Sequence, residues 1–364
     1  MDPTIHEGLE NVVVTATRLS EVDGARGRLT IAGESVEHCA ARESYEEVCA
    51  RLWSAGLDTP VSPGQVRELL GKERLRAFET LPKASSPVPV DGMDHLRGVL
   101  SAVDASTLEP VAAAARLTAT AAVAVAEWSA HRRRVPLPRP NPALEHAADY
   151  ANLLLGGVTD VARQDGVRAY LVAVSDHGMN ASTFTARVIA STASDLVSAC
   201  VGAVGALKGP LHGGAPGPVL DMLDAIGAPE QAQVWIETEL RAGRRIMGMG
   251  HRVYRVRDPR AAALEAAIER LERAGVSTPR LTLAREVEGS ALKVLRTKYP
   301  DRGLEANVEF YTAVLLDSIG LDREVFSPTF GVGRIGGWIA HYFEQRRTGR
   351  LIRPESIYIG PKAA

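Results

Sequence analysis

Two histidines of this chain are wrapped in glycine. His212 lies in Gly209-Pro210-Leu211-His212-Gly213-Gly214, and His251 lies in Gly248-Met249-Gly250-His251-Arg252-Val253-Tyr254. Glycine removes side-chain bulk and opens backbone angles closed to other residues. A small ligand can therefore approach each ring closely and meet backbone N–H groups in the same space. Arg255, Arg257 and Arg260 follow the second segment, and guanidinium groups gathered this way suggest an anion. Two presented imidazoles beside an anion site fit acid–base chemistry on a carboxylate-bearing substrate.

Further segments offer side chains for such a site. His177 lies in Asp176-His177-Gly178-Met179-Asn180-Ala181-Ser182-Thr183. Asn180 or Ser182 can cap a following helix, which sets His177 near a helix start, where backbone donors favour anions. Read alone, His177 is more simply a loop residue making hydrogen bonds. His212 stands ahead of a predicted helix whose N-terminus disfavours an imidazolium. A neutral ring there can donate a hydrogen bond to a carbonyl oxygen that gains negative charge. In Asp258-Pro259-Arg260 the acid is a cap and the proline a first-turn residue. Arg260 then occupies the first turn, the wrong helix end for a cation, which a ligand carboxylate or a nearby acid rationalises. Glu309, in Ala306-Asn307-Val308-Glu309-Phe310-Tyr311, shares a helical face with Thr312, Ala313 and Leu316. Desolvation there raises a carboxyl pKa and makes a stronger base; the competing reading is a glutamate facing solvent at a helix entrance. Arg334 is an isolated charge in Phe330-Gly331-Val332-Gly333-Arg334 and needs a partner. Arg353-Pro354 alone reads as a surface tail.

The elements that must carry these residues are nearly all helices. Alternation at residues 12–15, the Asp23-Gly24 turn and the run 28–31 predict a small N-terminal β-hairpin. Beyond it the periodicity predicts helices over 43–56, 64–79, 92–104, 109–130, 143–155, 180–206, 215–226, 229–243, 258–274, 280–298, 305–319 and 331–348, separated by proline and glycine breaks. Strand-like runs are scarce after the hairpin, so the expected class is all-α. Residues 83–91 and 132–142 read as surface connectors.

Bulk composition narrows the function. With 364 residues there is room for one large domain or two lobes. A formal net charge of −2 gives no field for a polyanion, which argues against nucleic acid as a partner. Cys39, Cys49 and Cys200 are odd in number and lack metal spacing, so a reducing cytoplasm is the expected compartment. Residues 1–10 show no secretory signal. The apolar stretch 111–130 contains Arg116, Thr118, Thr120 and Glu127, which suits a buried helix better than a membrane span.

Taken in order, these segments resemble the citrate synthase family, specifically its short dimeric bacterial and archaeal type. The match runs from Gly8-Leu9-Glu10-Asn11-Val12 and Gly27-Arg28-Leu29 through Asn180-Ala181-Ser182-Thr183-Phe184-Thr185-Ala186-Arg187 and Lys208-Gly209-Pro210-Leu211-His212-Gly213-Gly214-Ala215. It continues through Gly250-His251-Arg252-Val253-Tyr254 and Asp258-Pro259-Arg260 to Phe330-Gly331-Val332-Gly333-Arg334 and Arg353-Pro354-Glu355-Ser356. The resemblance implies a two-domain helical fold: a large, dimer-forming domain of residues 1–212 and 316–364, and a small domain of residues 213–315 that closes over the site. It implies an acyltransferase that condenses acetyl-CoA with oxaloacetate and hydrolyses citryl-CoA, without metal or prosthetic group. By motif, His212 would hydrogen-bond the thioester carbonyl, His251 would polarise the oxaloacetate ketone, and the carboxylate in the Glu309 position would be the base. His177, Arg260 and Arg334 would hold the oxaloacetate carboxylates, with Arg353 reaching the partner subunit's site of a homodimer. Arg255 and the backbone at Ile246, Met247, Gly248 and Gly250 would contact CoA.

Three differences from the family pattern stand out. Glu309 stands where the family has aspartate, which changes intrinsic basicity by roughly 0.4 pKa unit but lengthens the reach of the carboxylate. Pro216-Gly217 replaces Asn-Glu after the His212 segment, and Gly178 replaces the usual glutamate after His177. These changes keep two alternatives open: a 2-methylcitrate synthase using propionyl-CoA, or a weakly active paralogue that binds CoA or a dicarboxylate.

Overall fold

The computed structural model describes residues 5–9, 12–81, 89–213 and 216–361. Fifteen α-helices and one three-stranded sheet make up the described fold. The longest helix, α5 (Pro110–Arg133), is buried almost along its whole length. Its alanines let neighbours approach closely, and it packs against α3 (Pro63–Thr80), α4 (Gly92–Ser101) and α15 (Phe326–Thr348). It is long and apolar enough to cross a membrane, but most of that apolar surface is covered by these helices.

Helix α15 is the second buried axis. It packs against α2 (Tyr45–Leu57), α7 (Val161–Ala173), α8 (Ala181–Ser191) and α9 (Leu196–Leu207). Close approach needs glycine on its facing side: a Cβ built on Gly337 would lie 2.2 Å from the Ser175 carbonyl oxygen. That contact draws the loop after α7, with Asp176 and His177, onto α15. The remaining site elements are α10 (Pro216–Ile226), α12 (Pro259–Arg273), α13 (Pro279–Lys298) and α14 (Val308–Ile319). Helix α12 packs on α14 and also on α7 and α1 (Val36–Arg42).

The sheet corrects one expectation. Strand β1 (Ser20–Asp23) pairs antiparallel with β2 (Arg28–Ile31), and β3 (Glu34–Ser35) adds to β2. Residues 12–15 form no strand. Asp23 faces Arg28 across the turn, and its carboxylate accepts from the Arg26 backbone N–H and the Arg28 side chain. That turn sets the register, so the strand begins next to it. Valine propensity upstream has nothing to pair with, and Val13 is 89% exposed.

The helices differ from expectation in four places. The predicted helix 180–206 is two helices, broken where Ala193 adopts φ +70° and Asp195 caps α9 by accepting from the Ser198 N–H. Helices α1 and α7 were not anticipated, although Ser35 and Asp160 cap them. Helix α15 starts at Phe326 rather than 331, with Pro328 tolerated in its first turn. Most of the connector at 83–91 lies outside the described residues, as do Gly214 and Ala215 ahead of α10 and residues 1–4, 10 and 11 of the N-terminus.

Candidate active site

Each histidine is fixed by a backbone device. The His251 Nδ1 accepts the N–H groups of Val253 (3.0 Å) and Tyr254 (3.2 Å). Its proton must then sit on Nε2, which keeps a donor edge free. Burial, with the Arg260 charge, brings its pKa down to about 4, so the ring is neutral at physiological pH. The His212 Nε2 accepts the Ser182 N–H at the start of α8 (3.3 Å) and lies 2.8 Å from the Ser182 hydroxyl. The Trp338 indole donates to that same hydroxyl (3.0 Å). The proton of neutral His212 therefore belongs on Nδ1. Burial and the Arg334 charge hold this ring too at a pKa of about 4.

The expected neutrality of His212 thus has a different source. The helix that supplies the N–H is α8, thirty residues upstream, rather than the one that follows. Asn180 caps α8 by accepting from Thr183, while Ser182 serves His212.

His177 closes the arrangement. It is buried, its Nε2 lies 3.1 Å from the Tyr254 hydroxyl, and its ring stands edge-on to His251 with centroids 5.4 Å apart. Burial holds it neutral, and the charges of Arg260 and Arg334 act in the same direction.

The arginines divide sharply. Arg260 is gripped by its own cap: Asp258 accepts from Nε (3.0 Å) and Nη2 (2.7 Å), and also from the Val308 N–H (3.3 Å). Burial opposes its charge and Asp258 more than offsets that opposition. The nearby acid anticipated for a first-turn arginine is therefore its neighbour in sequence. Arg334 is buried on α15; its Nε donates to the Val174 carbonyl (2.5 Å), and its Nη2 has no hydrogen-bond partner among the described residues. Burial pulls its pKa down to about 10, with Asp176 partly opposing. Arg257 is not part of this group, since Glu265 and Glu288 pair with it.

Glu309 sits in the first turn of α14 and is 9% exposed. Among the described residues its carboxylate makes no hydrogen bond. Burial pushes it up to about 7, against the lowering pull of Arg260 and Arg334. Asn307 ties it to His251: the Asn307 side chain accepts from the Glu309 N–H (3.0 Å) and donates to the Gly250 carbonyl (2.9 Å). A short bridge between Met249 and Ala306 runs alongside. Gly248 adopts φ +73°, and a Cβ there would lie 2.9 Å from Phe310, so the His251 segment lies flat on α14.

The remaining candidates stand apart. Ile246 is packed in the core, Met247 is half-buried, and the Gly248 carbonyl and the Gly250 N–H are taken by Asn307 and Glu305. Arg255 is exposed, and among the described residues only its backbone N–H is engaged, by the Gly24 carbonyl at 2.9 Å. Arg353 is exposed in an extended tail. The sequence assigned no role to Tyr254, Trp338 or Asp176, and offered Ser182 only as a helix cap. Only Tyr254, three residues after His251, carried a signal that could have pointed to it.

Neutral rings that donate, cations with spare N–H groups and a carboxyl near neutrality suit one chemistry: proton transfer next to a carbonyl of an anionic substrate. The fold and site define an acid–base enzyme of helical architecture. The sequence profile described as "Citrate synthase, C-terminal domain" matches residues 8–355. A "Putative citrate synthase 2" of Mycobacterium tuberculosis is 36% identical over 97% of this chain and 92% of its own length. The "Citrate synthase" of Haloferax volcanii is 35% identical over 100% of this chain and 97% of its own. The solved structure of citrate synthase from Thermoplasma acidophilum, a ternary complex with carboxymethyl coenzyme A and oxaloacetate, aligns with TM-score 0.85 and 28% identity over 99% of this chain and 97% of its own. The chain belongs to the citrate synthase family. Its activity is that of an acyltransferase condensing acetyl-CoA with oxaloacetate to give citrate and CoA.

Proposed function

We propose that His212, His251 and Glu309 carry the condensation between them. Glu309 takes a proton from the acetyl methyl group. The His212 Nδ1–H donates to the thioester oxygen as the enolate forms, where a placed donor contributes about 100- to 1,000-fold. The His251 Nε2–H donates to the oxaloacetate ketone as its carbon is attacked. Water then releases citrate from citryl-CoA. His177, Arg260 and Arg334 hold the oxaloacetate carboxylates. Arg255 and the backbone near Met247 receive CoA.

The observation that carries this reading is the paired tautomers: each ring accepts backbone N–H groups on one nitrogen, which leaves the other as a donor. The added methylene of Glu309 is accommodated at a buried position, where burial itself raises the basicity. All of this runs on protein side chains, with no metal or prosthetic group.

A homodimer in which Arg353 completes the partner's site is part of the proposal. The extended tail leaves Leu351 57%, Tyr358 74% and Ile359 94% exposed, an apolar cover that suits a second copy of the chain. Residues 1–212 and 316–364 act as the dimer-forming body, and 213–315 close over the substrates. The three cysteines are free and buried, which suits a reducing cytoplasm.

Thiol release from acetyl-CoA in the presence of oxaloacetate tests the reading. Acetyl-CoA is expected to outrun propionyl-CoA. Glu309→Gln should cut turnover about 1,000-fold with oxaloacetate binding retained. A wild-type preference for propionyl-CoA, or unchanged turnover in the variant, would overturn it.

A further inference from the structure

We infer that Ser20, on the N-terminal hairpin, is a positioning residue for the oxaloacetate pocket, resting on the role proposed for His177. The Ser20 hydroxyl touches the residues on both sides of that histidine. It donates to the Asp176 carboxylate (2.5 Å) and accepts the Gly178 N–H (2.9 Å). One oxygen, 156 residues upstream, thus pins the backbone before and after the ring.

The rest of the clamp is rigid. Asp176 is fully buried, and its other contact is the His341 Nε2 on α15 at 3.1 Å. The His341 Nδ1 faces the Arg187 guanidinium at 2.8 Å, which can only donate, so the Nε2 proton points at Asp176. Asp176 is in turn the carboxylate that supports the charge of buried Arg334. Gly178 adopts φ +56°, and a Cβ there would lie 3.2 Å from Val22 of β1. A side chain at this position would press on the strand and strain the backbone, so glycine suits a loop packed this closely on the hairpin. The far end of the hairpin holds the other loop, through the Arg255 N–H to the Gly24 carbonyl at 2.9 Å. The hairpin therefore sets His177 and His251 against one another.

Removing the hydroxyl strips a donor from a buried carboxylate and an acceptor from a backbone N–H in one step. His177 is then free to drift from Tyr254 and from the substrate. Small displacements of a binding group are costly. Ser20→Ala is expected to raise KM for oxaloacetate about tenfold while kcat and KM for acetyl-CoA stay within about threefold. Ser20→Thr, which keeps the hydroxyl, is expected to restore the wild-type KM. Direct oxaloacetate titration should show the same tenfold loss. An unchanged oxaloacetate KM in an active Ser20→Ala enzyme would overturn the inference. So would a parallel rise in both KM values with a fall in Tm, which marks general loosening. Absence of thiol release by the wild type would instead defeat the mechanism proposed above, and the titration would still judge Ser20.

Discussion

The two halves of the site are built differently. In the half proposed for oxaloacetate, His177, Arg260 and Arg334 are buried, and each is held by a named partner: Tyr254, Asp258 and the Val174 carbonyl. In the half proposed for CoA and the second subunit, Arg255 and Arg353 are exposed, and their side chains make no hydrogen bond among the described residues. The first half is preorganised: desolvation has already been suffered, and stability has been given up for it. The spare N–H group of Arg334 and the mutual repulsion of Arg260 and Arg334 are the visible cost. The second half defers that cost until ligand, closure or partner arrives. An electrostatic contact is strong where water is already excluded and weak where it is not.

The largest effect expected on this contrast tests the preorganised half. Arg334→Met should raise KM for oxaloacetate about 100-fold, the usual scale for losing one partner of a buried charged contact. The same substitution removes a buried cation whose Nη2 has no hydrogen-bond partner among the described residues. Its Tm should therefore hold or rise, since replacing an ill-compensated buried charge with a packed apolar chain is often neutral or stabilising. Thermal melts of both proteins without ligand check this; a large fall in Tm would show that Arg334 holds the fold together and is not a reserved ligand.

Protonation gives the next effect. Of the three site histidines, His212 and His251 are held at about 4 and stay neutral from pH 5.5 to 8, and burial shifts His177 in the same direction. Glu309, raised to about 7, is the group that titrates in this range. As a base it works only when ionised, so kcat/KM for acetyl-CoA should fall about tenfold per unit below pH 7. Stability should move the other way. The folded state keeps a proton on Glu309 that the unfolded chain has lost between the ordinary carboxyl value of 4.5 and about 7. This contribution is fully present below 4.5 and lost as pH rises through 7. Glu309→Gln should flatten both slopes. An acid limb that survives in the residual activity of Glu309→Gln would assign the titration to another group.

How far these contrasts could be read from sequence depends on what holds each residue. The glycine-flanked histidines and Asp258-Pro259-Arg260 were legible because turn and cap chemistry is local. The helix ends were legible for the same reason, wherever Ser, Asn, Asp or Pro stood at the right place. Helix α7 escaped because only its apolar C-terminal half stood out, while Gln164, Asp165 and Arg168 masked the rest. The hairpin was found, but its first strand was misplaced, because valines at 12–14 outscored the true strand, whose register comes from Asp23. Which nitrogen of His212 carries the proton was not legible at all. That depends on Ser182 and Trp338, which meet the ring only in the fold. Arg257 shows the converse: beside Arg255 and Arg260 in sequence, it is diverted to Glu265 and Glu288.

The smallest effect probes the deferred half. Arg255 is an exposed cation whose backbone, not its side chain, is tied into the structure through Gly24. Arg255→Ala therefore keeps the loop and removes only an attraction for the anionic groups of CoA. Exposed charge pairs contribute little, so KM for acetyl-CoA should rise about threefold in low salt. Added salt screens the same attraction in the wild type. The two enzymes should converge toward a common KM at about 0.5 M salt, while KM for oxaloacetate stays unchanged in both. A salt-insensitive difference, or an equal rise in both KM values, would mean that Arg255 acts through the His251 loop and that the two halves are not separable.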